Sequence, residues 1–506
     1  MHWTAPLLLA VQAASTAMAH LATPTAPFIN VTLTPCPSDR NDGYIHGNAI
    51  LNLPFAENET LVVLPITMAG RPSTQYTNET LKASDNHGSL HLTVHNGTGS
   101  DGQPSSFWVT NRRTEGPVVV QFQARPNKVS PDATTGPLFD IRSNGNGFLG
   151  STWALIPLPP NTTTEYQFSL AWDLQNYPSG AAKGVWTWGE GPEPVTITGT
   201  VATFLYTFWA VGTMSTYPAT PPSKDTSNST FSMYSLEPVP FNATATATFI
   251  DKFFTYSSSF WQDFSGQPYR VFVRRNDDLG TGGTALTRSF TFGWSPRLNT
   301  SEDELQVLLA HEITHNWPGL SGATPAATRY AEGTAEYYSL RLLWRNGQIS
   351  AEKFLAEMNE RVRAYYTNSA VDMTDAEAYD VSWENADAQT MPYGRGLIYL
   401  VNMDAQIRAV SGGERNLDAL ALELLEICRE DELKCTEEAL LALLESYLGE
   451  QAVTEYYTVG TGVPLIQPLP DSLGSCFEVV QTGSGPSVFE WRVKEGVDYS
   501  SLECLF

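Results

Sequence analysis

Cysteine is scarce in this 506-residue chain, with Cys36, Cys428, Cys435, Cys476 and Cys504 making up the full set. None stands in a Cys-x-x-Cys pair, which argues against a cysteine zinc site. In an oxidising compartment the sequence-local pairings are Cys428 with Cys435 and Cys476 with Cys504, leaving Cys36 odd. Basic side chains are also few. Lys and Arg number 29 against 54 Asp and Glu, for a net charge of −25. Such a surface repels phosphate backbones and no Lys/Arg cluster relieves it, so nucleic-acid binding is excluded. Long hydrophobic runs are missing beyond the N-terminus. No later stretch reaches about 18 uninterrupted apolar residues, so no membrane span is expected. Internal repeats are absent.

What is present points to a large, folded, exported protein. Hydrophobic residues make up 42% and aromatics 11%, enough for a substantial core, and at roughly 150 residues per domain the length allows two to four domains. Ala5 to Ala19 is apolar or small, too short to span a bilayer, and ends in Ala17-Met18-Ala19, a small-x-small cleavage pattern. Residues 1–19 therefore read as a signal peptide, with a secreted, extracellular chain starting near His20. Glycosylation sequons agree with this. Asn30, Asn58, Asn78, Asn96, Asn161, Asn228, Asn242 and Asn299 each precede x-Ser/Thr, all in the first 300 residues.

Residues 20–210 read as a β-rich domain. Short runs such as Leu61–Ile66, Leu90–Val94, Pro117–Phe122 and Tyr166–Leu170 alternate with Gly, Asn, Pro and Ser clusters, as in a β-sandwich. Residues 211–236, with Pro218, Pro221 and Pro222, read as a linker or long loop. After it, Tyr269–Val273 and Ser289–Phe292 suggest strands, and then helices dominate. The spacing predicts them at 327–345, 351–367, 395–410, 417–428 and 436–448, after a capping box at Ser301-x-x-Glu304 that opens an apolar run. Residues 466–506 read as a short irregular or β tail.

The densest chemical signal is His311-Glu312-Ile313-Thr314-His315. On a helix, positions i and i+4 share a face, so both imidazoles reach one metal while Glu312 stands beside them as a proton acceptor. Two coincident histidines on an exposed amphipathic helix are the alternative. Pro318, Gly319 and Gly322 close this helix, and Thr324 and Pro325 open the next as cap and first residue. That second helix carries Glu332, which completes the three protein ligands of a catalytic zinc site with one position open to water. One turn on, Glu336 suits a carboxylate that orients a ligand histidine, or else a solvated helix charge. Histidine and carboxylate ligands also accept manganese or cobalt.

His311-Glu-Ile-Thr-His315-Asn-Trp-Pro-Gly followed by Tyr330-Ala-Glu332-Gly-Thr-Ala-Glu-Tyr-Tyr resembles the gluzincin metallopeptidases, and within them the glycyl aminopeptidase family. Upstream, Ala171-Trp172-Asp173-Leu174 and Trp186-Thr187-Trp188-Gly189-Glu190-Gly191 resemble that family's junction between β domain and catalytic domain. Downstream, Pro392-Tyr393-Gly394-Arg395-Gly396 resembles its Tyr-x-Lys-Gly segment, with Arg for Lys. The resemblance covers residues 165–410. It implies an α+β multidomain chain, with an N-terminal β-sandwich-like domain and a thermolysin-like catalytic domain (237–465) that is mainly helical around zinc. It implies zinc binding by His311, His315 and Glu332, general-base action by Glu312, and a hydrogen bond from Tyr393 to the oxyanion.

Two departures stand out. Sixteen residues separate His315 from Glu332, two fewer than in the larger zinc aminopeptidases. The family's Gly-Gly-Leu/Met-Glu strand, whose Glu grips a free amino terminus, corresponds to Gly282-Gly283-Thr284-Ala285 and has Ala285 in place of that acid. Gly282 and Gly283 would still let this strand approach a peptide backbone; a Gly-rich hairpin turn is the alternative. The expected function is a secreted zinc peptidase acting on peptides or proteins through a zinc-activated water, aminopeptidase-like. The alternatives are a zinc endopeptidase that ignores the amino terminus, and a non-catalytic binding protein with a retired peptidase domain.

Overall fold

The computed structural model describes residues 27–499 and Cys504, apart from 39–42, 69–70, 101, 128–129, 131–136, 161, 220–229, 278–281, 299–300, 318, 321–323, 431–433 and 483–487. The residues read as a signal peptide, and the sequons at Asn161, Asn228 and Asn299, lie outside the described residues.

The first half is strand-rich. A seven-stranded sheet runs in the order Val195–Gly199, Tyr166–Trp172, Phe28–Cys36, Tyr44–Leu51, Val118–Ala124, Leu81–Asp85, Gly88–Leu90. Period-two alternation explains it. In Phe28–Cys36 the buried side chains are Ile29, Val31 and Leu33, while Asn30 faces water. A three-stranded sheet (Thr60–Pro65, Pro104–Thr110, Leu92–Thr98), a five-stranded sheet (Arg142–Asn144, Gly147–Ser151, Phe208–Gly212, Lys183–Trp186, Gly189–Glu190) and a two-stranded one (Thr67–Met68, Arg71–Pro72) also lie in this half.

The second half opens with another five-stranded sheet, in the order Ser215–Tyr217, Phe231–Ser235, Tyr269–Arg275, Ser289–Trp294, Gly282–Leu286. Its three inner strands are mutually parallel and buried on both faces, as crossover topology demands. The first two strands arise within 211–236, the stretch read as a linker. Phe231, Met233 and Tyr234 supply core side chains there that the Pro and Ser/Thr content around them obscured. Gly282–Leu286 pairs antiparallel with Ser289–Trp294 and forms one edge of the sheet.

Ten α-helices stand among the described residues: α1 (Val201–Leu205), α2 (Ala243–Phe260), α3 (Glu302–Thr314), α4 (Pro325–Arg345), α5 (Ala351–Thr367), α6 (Asp375–Val381), α7 (Ala386–Val410), α8 (Leu417–Glu430), α9 (Glu437–Leu448) and α10 (Glu450–Val459). The capping box predicted at Ser301/Glu304 opens α3, and Thr324 caps α4 with Pro325 in its first turn. Helix α7 departs from expectation. Predicted to start at 395, it begins at Ala386, capped by Asn385, and carries Pro392 inside it, so Tyr393 lies within the helix. Packing offsets the hydrogen bond that Pro392 cannot donate. A Cβ on Gly333 of α4 would fall 2.5 Å from the backbone of Gly396, so the two glycines let α4 and α7 cross in backbone contact.

The described end of the chain forms a hairpin, Phe477–Thr482 with Val488–Val493, docked on α5 through Asn359, whose side chain bonds both the N–H and the C=O of Trp491. Both sequence-local disulfides are formed, Cys428–Cys435 and Cys476–Cys504, and Cys36 is free. Among the described residues no helix is long and apolar enough to cross a membrane.

Candidate metal centre

The site is built where the ends of α3 and α4 meet under the edge strand. Residues 311 and 315 share one face of α3, so the two Nε2 atoms lie 3.1 Å apart with their rings edge-to-face. From α4, Glu332 brings Oε2 to 3.3 Å from His311 Nε2 and 3.5 Å from His315 Nε2. Donor atoms of all three residues lie within 4.8 Å of one another. Glu336, one turn along α4, faces the other nitrogen of His311, with Oε1 3.2 Å from Nδ1. With a metal bound, Nδ1–H donating to Glu336 would leave the Nε2 lone pair to face the ion.

The donor set fits a divalent cation. Glu332 Oε2 is buried with no hydrogen bond, a costly state for a carboxylate oxygen unless a cation satisfies it. Burial opposes charge on His311, yet the carboxylates of Glu332 and Glu336 outweigh it and raise the imidazole to about 10. The pocket is therefore built to hold positive charge. Burial likewise opposes ionisation of Glu332, but His315 and His311 keep it well below the usual carboxylate range. Glu336, buried as deeply, is pulled down to about 2 by Arg361 and His311. Two imidazoles and one carboxylate are the ligand types of a catalytic zinc site.

Glu312 and Tyr393 stand beside the cluster. Glu312 is buried, and burial raises its carboxyl above the ordinary range, as suits a proton acceptor. Tyr393 stacks on His311 with ring centroids 5.5 Å apart. The charge of Glu332 and then burial push its phenol well above 10, so it stays a donor. Arg395, two residues on, points elsewhere. It is fully buried against Asp375 and the carbonyls of Val371 and Met373, tying α7 to the loop before α6.

The edge strand meets the site through Gly283. A Cβ there would lie 2.2 Å from Glu312 Cδ, so any larger residue would have to displace the Glu312 carboxyl. Gly282 has φ +127, a left-handed conformation that favours glycine. Strand alternation puts Thr284 on the opposite face, where its hydroxyl accepts from Leu138 N at 2.8 Å. Ala285 thus shares the face of Gly283, and neither offers a charge. The Trp186–Gly191 segment lies at the junction of the two halves, as the resemblance implies: Arg270 Nε donates to Trp186 O, and the Thr187 and Ser289 hydroxyls meet at 2.8 Å. Arg361, which holds Glu336, carried no signal in the sequence.

The fold is that of the M1 zinc aminopeptidases, whose members are the structural neighbours. An aminopeptidase N family protein from Idiomarina loihiensis superposes with a TM-score of 0.64 at 14% identity, covering 91% of this chain and 81% of its own. An M1 zinc metallopeptidase from Deinococcus radiodurans, solved as a mutant bound to a Tyr-Ser-Ala substrate, gives 0.53 at 16% identity over 88% and 96%. Native yeast LTA4 hydrolase gives 0.52 at 14% identity over 88% and 68%. No protein-family model and no curated protein matches the sequence.

Proposed function

We propose that the protein is a secreted zinc-dependent peptidase with a thermolysin-like catalytic domain, aminopeptidase-like in mechanism. The observation that carries this reading is the convergence of His311, His315 and Glu332 on one point with Glu312 beside them. His311, His315 and Glu332 would hold the ion, with Glu336 orienting His311. When bound, zinc supplies Lewis acidity and brings the pKa of a coordinated water toward neutrality. Glu312 accepts the proton that water gives up and returns it to the departing nitrogen. The Tyr393 hydroxyl, kept protonated, donates to the oxygen on which negative charge develops. Gly283 and its strand lie where a peptide backbone would run.

A specific observation favours the endopeptidase reading as second choice. The edge-strand residues on the site's face, Gly283 and Ala285, present no carboxylate to a substrate ammonium, and an ammonium taken out of water needs such a partner. Export is supported by the leader pattern and by the exposure of the five described sequon asparagines, Asn30, Asn58, Asn78, Asn96 and Asn242. Digestion of a peptide library with and without a chelator, read by mass spectrometry, tests the proposal. Chelator-sensitive cleavage is expected; cleavage unchanged by chelator, or none with zinc supplied, contradicts it.

A further inference from the structure

Resting on the zinc reading above, we propose that Arg361 of α5 is a positioning residue that sets the metal affinity of the site by holding Glu336 against His311. Neither ligand-bearing helix contains it. Glu336 divides its two oxygens, Oε1 facing His311 Nδ1 at 3.2 Å and Oε2 accepting from Arg361 Nε. Arg361 is clasped in turn, because its Nη1 donates to the side chain and backbone carbonyl of Glu357 at 2.6 and 3.2 Å. Lys353 lies 2.7 Å from the other oxygen of Glu357. The result is a chain of alternating charge, Lys353, Glu357, Arg361, Glu336, His311, that runs from the surface to a ligand imidazole. Side-chain exposure is 34% at the Lys353 end and 7% at the His311 end.

Two features argue that this chain aims the ligand as well as tying helices together. Glu336 is buried, and a buried carboxylate with one partner removed reorients or draws in water. Its grip on Nδ1–H, beside the stacking of Tyr393, keeps the His311 ring turned with Nε2 toward His315 and Glu332. Arg361 is also seated by a glycine. A Cβ on Gly394 would lie 2.6 Å from Tyr365 Cβ and 3.2 Å from Arg361 O, so α7 and α5 close on each other one residue from Tyr393. Losing a partner of this kind typically weakens metal binding about 10–100-fold.

The test is zinc affinity, measured by competition with a chelating indicator on the full-length protein. Arg361→Met keeps the aliphatic stem and is expected to raise the zinc Kd about 10–100-fold, while Arg361→Lys recovers part of the loss. Combined with Glu336→Gln, Arg361→Met should add less than about twofold, since it acts through that carboxylate. If Arg361→Met does not fold, Glu357→Gln loosens the clasp from outside and should raise Kd several-fold. An unchanged Kd in the soluble variants with a lowered apo Tm, or full additivity with Glu336→Gln, overturns the proposal in favour of a purely structural tie. Wild-type protein that binds no zinc would instead remove the functional reading on which it rests.

Discussion

Two walls of the same site are built to different standards. The helix pair α3/α4 presents two imidazoles and the carboxyl groups of Glu332 and Glu312, braced by Glu336 and by a cation from a third helix. The facing edge strand presents glycine and alanine. Hydrolytic chemistry demands fixed polar groups, and their burial is tolerable only because each meets an opposite charge or a donor. Backbone recognition demands the reverse, a bare strand that lets main chain meet main chain. Under the proposed function, such a contrast corresponds to a site specified closely for the reaction and loosely for the substrate's end groups.

The largest effect is expected from stripping the first wall of its ion. Chelation should abolish hydrolysis and lower the Tm, with both restored by stoichiometric zinc; activity persisting without metal would break the comparison. Next comes Glu312→Gln, which should cut kcat about 10²–10⁴-fold with zinc content unchanged by elemental analysis. On the second wall, Gly283→Ala drives a methyl group into Glu312, and displacement of that base by about 1 Å should cost about 10²-fold in kcat/KM. Near-normal kinetics in that variant would mean the strand does not abut the carboxyl.

The ligand wall was legible in the sequence because its parts are local. His311, Glu312 and His315 lie within one turn and a half, Glu332 and Glu336 follow on the next helix, and cap residues mark where both helices begin. Short strand-like runs likewise revealed Tyr166–Leu170 and Tyr269–Val273, which the structure extends to Trp172 and Arg275. What escaped was set by distant partners. Residues 243–248 alternate Ala and Thr like a strand, yet Asn242 caps them as α2 and Ile250, Phe253 and Phe254 bury its face. The helix predicted at 395–410 runs back through Pro392 to Ala386, where α4 and α7 cross in contact at Gly333 and Gly396. Arg361 reaches Glu336 from a different helix, 25 residues away, and no spacing rule announces such a pair.

A smaller effect sharpens the substrate side. Under the endopeptidase reading, with no carboxylate from the edge strand to meet an ammonium, N-acetylation of one peptide should change kcat/KM less than about tenfold, an ion pair's worth of about 1.4 kcal/mol. A loss beyond a thousandfold would reveal an amine anchor contributed by another element. The smallest effect concerns how the strand's sheet is moored. Burial opposes ionisation of Asp140, but Arg274, at 3.1 Å, and Arg142 hold its carboxyl below the usual range. Because the folded value is the lower one, this stabilisation is present above the unfolded Asp value of about 3.9 and is lost as pH falls toward the folded one. Asp140→Asn should therefore lower Tm at pH 7 and flatten its acid dependence below about pH 4; an identical pH profile would dismiss the mooring.

The most direct test is an anomalous-difference map at the zinc absorption edge, from crystals grown with zinc. The account predicts a peak about 2.0–2.2 Å from an Nε2 of His311, an Nε2 of His315 and a carboxylate oxygen of Glu332. Density that places no ion among these three residues, or Glu332 turned away from both imidazoles, would contradict it.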